Sequence, residues 1–253
     1  MKIINSAKLK KLILDGITTK ELKEYDYSGI IDMSFMFRDN KLLAEIPELD
    51  TSKVENMSGM FYGCESLIKI PKLVTSKVKD MTFMFYNNKL LTEIPELDTS
   101  SVIHIDGMFN NCESLIKIPK LVTSKVKGMN NMFTGCKLLT KIPELDTSSV
   151  TGMAGMFTGC NLLTKIPELD TSNVENMNGM FYGCISLASI PELNTSRVTS
   201  VTNMFEGTNI PASIYKMNWD SLTNFNFTST FNEHIMESSR KALDRIGDLY
   251  NFI

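Results

Sequence analysis

Long apolar runs, histidine and surplus charge are all scarce in this sequence, and each scarcity removes a class of protein. No stretch approaches the roughly 18 consecutive apolar residues that a membrane-spanning helix needs, because charged or polar residues interrupt every run. The net charge is only −3 over 253 residues, too small to mark a nucleic-acid footprint or a strongly acidic mimic. The two histidines, His104 and His234, stand far apart. No H-E-x-x-H, Walker loop, G-x-G-x-x-G after a strand or Ser-His-Asp spacing accompanies them, so neither an enzyme, a metal site nor a cofactor is expected. The start, Met1 to Lys8, has no long apolar segment, and Lys8, Lys10 and Lys11 interrupt the apolar residues beyond it. No secretory signal is expected there, and no cysteine lies near it to carry a lipid. The chain is therefore expected to be cytoplasmic, or at the cell surface if an export signal has been removed. Disorder is not expected either, since apolar residues make up 43% and charged residues 22%.

What is abundant is repetition. The dipeptide Met-Phe recurs at 36, 60, 84, 108, 132, 156, 180 and 204, each 24 on from the last. Ile-Pro follows the same step from Ile46-Pro47 to Ile190-Pro191, and Thr-Ser does so from Thr51-Ser52 to Thr195-Ser196. Within one unit the apolar residues Val54, Met57, Met60, Phe61, Cys64, Leu67, Ile70 and Leu73 are spaced mostly by threes. That spacing fits neither a long helix nor an alternating strand. A coil of this kind buries its inward side chains only against the coils above and below, so the units must stack. Short strands are expected near Leu67 to Ile70 and at Val54 to Met57, with a helical or 3₁₀ turn over Ser58 to Cys64. Pro71 and its equivalents lack a ladder donor and belong at strand ends or on an irregular arc.

The unit Val-x-x-Met-x-x-Met-Phe-x-x-Cys-x-x-Leu-x-x-Ile-Pro-x-Leu-x-Thr-Ser resembles the BspA-like leucine-rich repeats of bacterial surface proteins, in the variant N-M-x-x-M-F-x-x-C. Asn56 to Cys64 and Asn176 to Cys184 carry that signature, and the likeness covers roughly residues 30–210. The resemblance implies a right-handed solenoid that acts in adhesion or protein recognition, with no catalytic residues to carry over. The expected architecture is a leucine-rich-repeat-like superhelix of eight 24-residue rungs over residues 30–210. An N-terminal helical cap over 1–29 and a C-terminal cap over 211–253 would close its ends. Leu9, Leu12 and Ile13 form the stripe of the first cap, which Gly16 stops. Trp219, Phe225, Phe227 and Phe231 would seal the last rung, before a helix from Glu233 to about Tyr250 capped by Asn232.

Residues one repeat apart should lie one rung apart, about 4.8 Å, so columns matter more than sequence neighbours. Around Ile-Pro the signs alternate: Glu45, Lys69, Glu93, Lys117 before it, and Glu48, Lys72, Glu96, Lys120, Glu144 after it. The alternation then fails, with Lys117, Lys141 and Lys165 stacked and Glu144, Glu168 and Glu192 stacked. Cys64, Cys112, Cys136, Cys160 and Cys184 share one column with Asn40 and Asn88. A spacing of 24 or 48 matches no zinc pattern. The resemblance to leucine-rich repeats, which use Asn or Cys in such a slot, implies inward, unpaired thiols that satisfy backbone groups, as suits a reducing compartment. The 17 methionines read as core filling. Phe35, Gly59, Phe83 and Gly107 alternate large and small, which reads as interlocking of rungs, with an exposed Phe83 as a partner anchor the alternative. Asp98, Asp146 and Asp170 precede Thr-Ser as turn formers. The nearly identical blocks Cys64 to Lys79 and Cys112 to Lys127 point to growth by duplicating pairs of rungs.

Binding specificity would live in the exposed columns that vary. The candidate partner-binding residues are Lys53, Lys77, Lys125 and Arg197 in one column, Lys79 and Lys127 in a second, and Tyr62, Tyr86 and Tyr182 in a third. The expected function is a non-enzymatic scaffold that binds a partner protein through these columns, without nucleic acid or membrane insertion. An inhibitor that occludes a host or competitor enzyme, such as a defence nuclease, and a cell-surface adhesin fragment are the alternatives.

Overall fold

The structure is a computed structural model and describes residues 1–17, 19–46 and 48–210. The C-terminal cap expected over 211–253, including Trp219, His234 and the terminal helix, lies outside the described residues.

The chain begins with a short strand β1 (Lys2–Ile3), a helix α1 (Ser6–Leu14), a single turn α2 (Thr19–Leu22) and a strand β2 (Tyr25–Asp26). Asn5 starts α1 because its side chain accepts from the Lys8 N–H at 2.9 Å, satisfying a donor that has no partner inside the helix. Gly16, at φ +83°, stops it. With the chain turned into the left-handed region, the Gly16 N–H donates to the Ile13 carbonyl and the Ile17 N–H to the Leu12 carbonyl, the pairing of a Schellman cap. Leu9 and Ile13 are buried. β1 and β2 pair in parallel, Lys2 opposite Tyr25 and Ile3 opposite Asp26.

From Ile30 onward the backbone coils with the period of the sequence repeat. Val54, Met57, Met60, Phe61, Cys64, Leu67, Ile70 and Leu73 all point inward and are buried, as are their equivalents in most other rungs. The phenylalanines of the eight Met-Phe pairs form one column from Phe37 to Phe205. Neighbouring rings are nearly parallel with centroids 5.4–5.8 Å apart.

The backbone explains why the step is constant. In one rung the N–H groups of Met57, Gly59, Phe61 and Gly63 donate to Asp80, Thr82, Met84 and Tyr86 of the next rung at 2.8–2.9 Å. The N–H groups between them, those of Met60, Tyr62 and Cys64, donate three residues back to Met57, Gly59 and Phe61 at 2.9–3.3 Å. Alternate donors thus tie the rung to its neighbour and to itself. This double duty needs a left-handed residue at two places per rung, as at Gly59 (φ +56°) and Gly63 (φ +70°). Glycine adopts it freely, and Asp39, Asn87, Asn111, Asn131 and Asn203 fill the same slots elsewhere.

The extended segments are shorter than the sequence suggests. At Val54–Met57 and Leu67–Ile70 they shrink to single parallel bridges, Asn56 to Asp80 and Glu45 to Lys69. Pro71 offers no N–H, so pairing cannot run on past Ile70, and Met57 leads directly into the left-handed turn. The turn over Ser58 to Cys64 is no 3₁₀ helix, because Gly59 and Gly63 have the opposite hand.

Three further columns hold the rungs. The buried Thr51 hydroxyl donates to the Val74 carbonyl at 2.9 Å and accepts from the Val74 N–H at 2.8 Å; Thr99 does the same with Val122. Asp98, Asp146 and Asp170 are the expected turn formers. Each accepts from the N–H two residues on at 3.0–3.1 Å, and the serine hydrogen bonds hold each carboxyl below its usual range. In the third column every cysteine thiol donates to the carbonyl of a phenylalanine of the preceding rung, Cys64 to Phe37 at 2.9 Å and Cys184 to Phe157 at 3.0 Å. Asn88 makes the same bond to Phe61 through its amide at 2.8 Å. Among the described residues two buried oxygens, Thr75 Oγ1 and Asn88 Oδ1, have no hydrogen-bond partner.

Burial pushes the thiols of Cys64, Cys112 and Cys184 up to about 12, and those of Cys136 and Cys160 well above the usual 9.0. The folded thiols hold their protons where unfolded ones release them. Their contribution to stability is therefore complete below about pH 9 and lost as pH rises toward 12. Urea unfolding at increasing alkaline pH should show this fall, and Cys136→Asn, with one fewer titrating group and the same bond to offer, should fall less. In the aromatic column, Phe133→Ala removes a ring packed on both faces and should cost about 3–5 kcal/mol in the same measurement.

Candidate partner-binding surface

The strongest surface feature grows out of two violations of the rung pattern. Phe35 (φ +51°) and Phe83 (φ +53°) occupy the left-handed slot that glycine or asparagine fills in the other rungs. A bulky side chain there is an outlier, strained by about 1–2 kcal/mol. Each ring lies over the glycine of the next rung, Phe35 over Gly59 and Phe83 over Gly107, where a Cβ would collide with it. The large-small alternation is thus interlocking. Phe83 remains 36% exposed all the same.

Around these phenylalanines the tyrosine column completes an aromatic ledge. Tyr62 and Tyr86 stack with centroids 4.4 Å apart and planes 11° from parallel. Phe83 meets Tyr86 edge-on at 5.7 Å, and Phe35 is tilted against Tyr62 at 6.3 Å. The Arg38 guanidinium covers the end of the ledge, 5.5 Å from the Phe35 ring and 5.2 Å from Tyr62, within cation–π range. Its Nε also meets Asp39 at 3.1 Å. Partial burial raises the Tyr62 phenol above its usual range, with Tyr86 adding to the effect.

A charged border follows in the next column. Glu65 sits between Lys41 at 3.4 Å and Lys89 at 3.7 Å. The Lys41 hydrogen bond, followed by the field of both lysines, holds its carboxyl below the ordinary range. Glu113 and Lys137 pair at 2.7 Å further along the same column. These contacts are exposed and set orientation more than stability.

The other candidates fall elsewhere. Tyr182 is exposed but separated from Tyr86 by Asn110, Thr134 and Thr158 of the same column. Lys53, Lys77, Lys125 and Lys127 are exposed. Lys79 is engaged by Glu55 at 2.7 Å, and Arg197 donates to Asn173 at 3.1 Å. Of the candidate residues, then, the structure brings together Tyr62 and Tyr86. It adds Phe35, Arg38 and Phe83. Arg38 could have been found from its column, since it stands one repeat before Tyr62. His104 is exposed. Among the described residues no group of three His, Cys, Asp or Glu side chains could hold a metal ion, and no helix is long and apolar enough to cross a membrane.

Four overlapping stretches, residues 8–117, 66–159, 108–219 and 139–242, match the family described as "Mycoplasma protein of unknown function, DUF285". The chain belongs to this family. Overlapping matches of this kind are what a tandem array produces, and they agree with the stacked rungs of this DUF285 chain. A leucine-rich repeat protein from Bacteroides ovatus, known from a crystal structure at 1.19 Å, is similar at 19% identity with a TM-score of 0.38. The likeness covers 75% of the DUF285 chain and 66% of the Bacteroides protein. No curated protein matches.

The conformation of Phe83 yields a test. Phe83→Gly releases the left-handed strain and Phe83→Ala does not. The glycine variant should therefore be more stable than the alanine variant by about 1 kcal/mol, read from urea midpoints.

Proposed function

We propose that this chain is a non-enzymatic recognition module, a right-handed solenoid of eight rungs of the BspA-like leucine-rich-repeat type, closed by terminal caps. It binds a partner protein through the ledge of Phe35, Arg38, Tyr62, Phe83 and Tyr86. The observation that carries this reading is the ledge itself: a stacked aromatic surface kept partly open to solvent at the expense of two strained backbone positions. Glycine or asparagine fills that slot in the other rungs without such strain, so packing alone does not account for phenylalanine there. Aromatic residues with an arginine are the side chains that most often dominate binding energy, because they bury large area with little conformational freedom to lose. The charged border of Lys41, Glu65 and Lys89 fits the polar rim of such a site.

The repeated frame supports the same reading. Columns on a fixed backbone vary from rung to rung at the surface while the interior repeats, and that is the arrangement by which stacked units present a binding face.

Affinity capture from native lysate with three versions of the chain tests the proposal. The wild type should retain a stoichiometric partner. A variant carrying Tyr62→Ser, Phe83→Gly and Tyr86→Ser should bind it at least about thirtyfold more weakly. A variant with Lys53→Ser, Lys77→Ser and Lys125→Ser should bind as the wild type does. Equal retention by the ledge variant, shown folded by circular dichroism, would overturn the assignment of the ledge.

A further inference from the structure

A second surface, which uses none of the ledge residues, is self-complementary. It is the Ile-Pro face of the N-terminal half, where Glu45, Ile68, Lys69, Thr92, Glu93 and Lys117 line a groove of about 510 Å³. The column before Ile-Pro alternates Glu45, Lys69, Glu93, Lys117, and the column after it alternates Glu48, Lys72, Glu96, Lys120; all eight side chains are exposed. In other columns, opposite charges on successive rungs close ion pairs at 2.7 Å, as Lys79 does with Glu55 and Lys137 with Glu113. Here the backbones of Glu45 and Lys69, and of Glu93 and Lys117, are bridged in parallel, yet among the described residues no ion pair closes between their side chains. The face presents alternating charges that close no ion pair with one another, around a partly apolar floor in which Ile68 is 50% and, one duplicated pair of rungs on, Ile116 is 55% exposed.

An alternating column reversed about a point between two rungs is its own complement. We propose that a second copy of this chain docks on this face, antiparallel, about a two-fold axis that passes between the rung of Lys69 and the rung of Glu93. In that arrangement Glu45 faces Lys117, Glu48 faces Lys120, Lys69 faces Glu93 and Lys72 faces Glu96, each pair occurring twice by symmetry. The apolar positions fit as well, since Ile68 comes opposite Thr92 and Ile116 opposite Ala44, large against small in each case. Other registers are worse. Moving the axis one rung toward the C-terminus sets Lys69 on Lys141, and a parallel arrangement sets Glu45 on Glu48 and Lys69 on Lys72. The failure of the alternation after Lys117, where Lys141 and Lys165 follow, thus confines the complementary patch to four rungs. At about 4.8 Å per rung such a patch is short, so the dimer belongs with small, reversible interfaces. Because its charges lie at the surface, salt should weaken it.

Sedimentation velocity of the full chain, across micromolar to submillimolar concentration at low salt, tests this. A concentration-dependent monomer–dimer equilibrium is expected, shifted toward monomer at high salt. Reversing one half of the pattern with Lys69→Glu and Lys72→Glu sets Glu on Glu at both inner rungs and should raise the dissociation constant by more than about tenfold. Adding Glu93→Lys and Glu96→Lys to the same chain restores unlike pairs and should restore the dimer. Circular dichroism establishes that each variant is folded. A chain that stays monomeric at low salt, a dimer indifferent to the double reversal, or a quadruple variant that remains monomeric would each overturn the proposal.

Discussion

The structure depends on one constraint above all, the strict repetition of backbone hydrogen bonds between neighbouring rungs. Alternate N–H groups of the segment around Met60-Phe61 reach carbonyls of the next rung, while their neighbours close turns within their own. A rung of any other length would leave these donors facing no acceptor in the interior, where an unpaired backbone group costs about 1–3 kcal/mol. The stacked phenylalanines, the threonine hydroxyls and the thiol-to-carbonyl bonds all inherit their spacing from this ladder. They can repeat because the backbone does.

The same constraint explains which residues vary and which cannot. Two left-handed positions per rung restrict that segment to glycine, asparagine and aspartate, with Phe35 and Phe83 as the exceptions. Where glycine takes the place of the turn-forming residue, a neighbour replaces it. At Gly128 and Gly152 the usual Asn or Asp is missing, and the previous rung supplies the acceptor instead: Asp106 takes the Asn130 N–H at 2.9 Å and Asn130 takes the Ala154 N–H at 3.0 Å. A side chain at either glycine would occupy the place of that acceptor. The column of thiols shows similar tolerance, because cysteine and asparagine each bring one donor to the same phenylalanine carbonyl. Exposed positions escape these demands, and two distinct surfaces result. One is aromatic and strained, the other charged and alternating.

Much of this was legible in the chain itself. Three dipeptides in one register revealed the rung, and the threefold spacing of Val54, Met57, Met60, Cys64, Leu67, Ile70 and Leu73 named the interior. The cysteine column was readable as backbone-satisfying because leucine-rich repeats, which the unit resembles, place asparagine or cysteine there. The lengths of the extended segments were not readable, since proline and the left-handed turn truncate them from opposite sides. Nor was the ledge. Tyr62 and Tyr86 were visible as a column, but the tie to Arg38, Phe35 and Phe83 comes from side chains of different columns meeting across rungs.

The sequence by itself determined the period, the stacking and the interior, because each is a local rule repeated at a fixed step, and repetition is a one-dimensional property. Only the tertiary structure decided which columns meet, which charges pair and which phenylalanines are strained. Those depend on the angle at which each side chain leaves a coil whose backbone changes hand twice in every turn, and that angle is set by the rungs on either side.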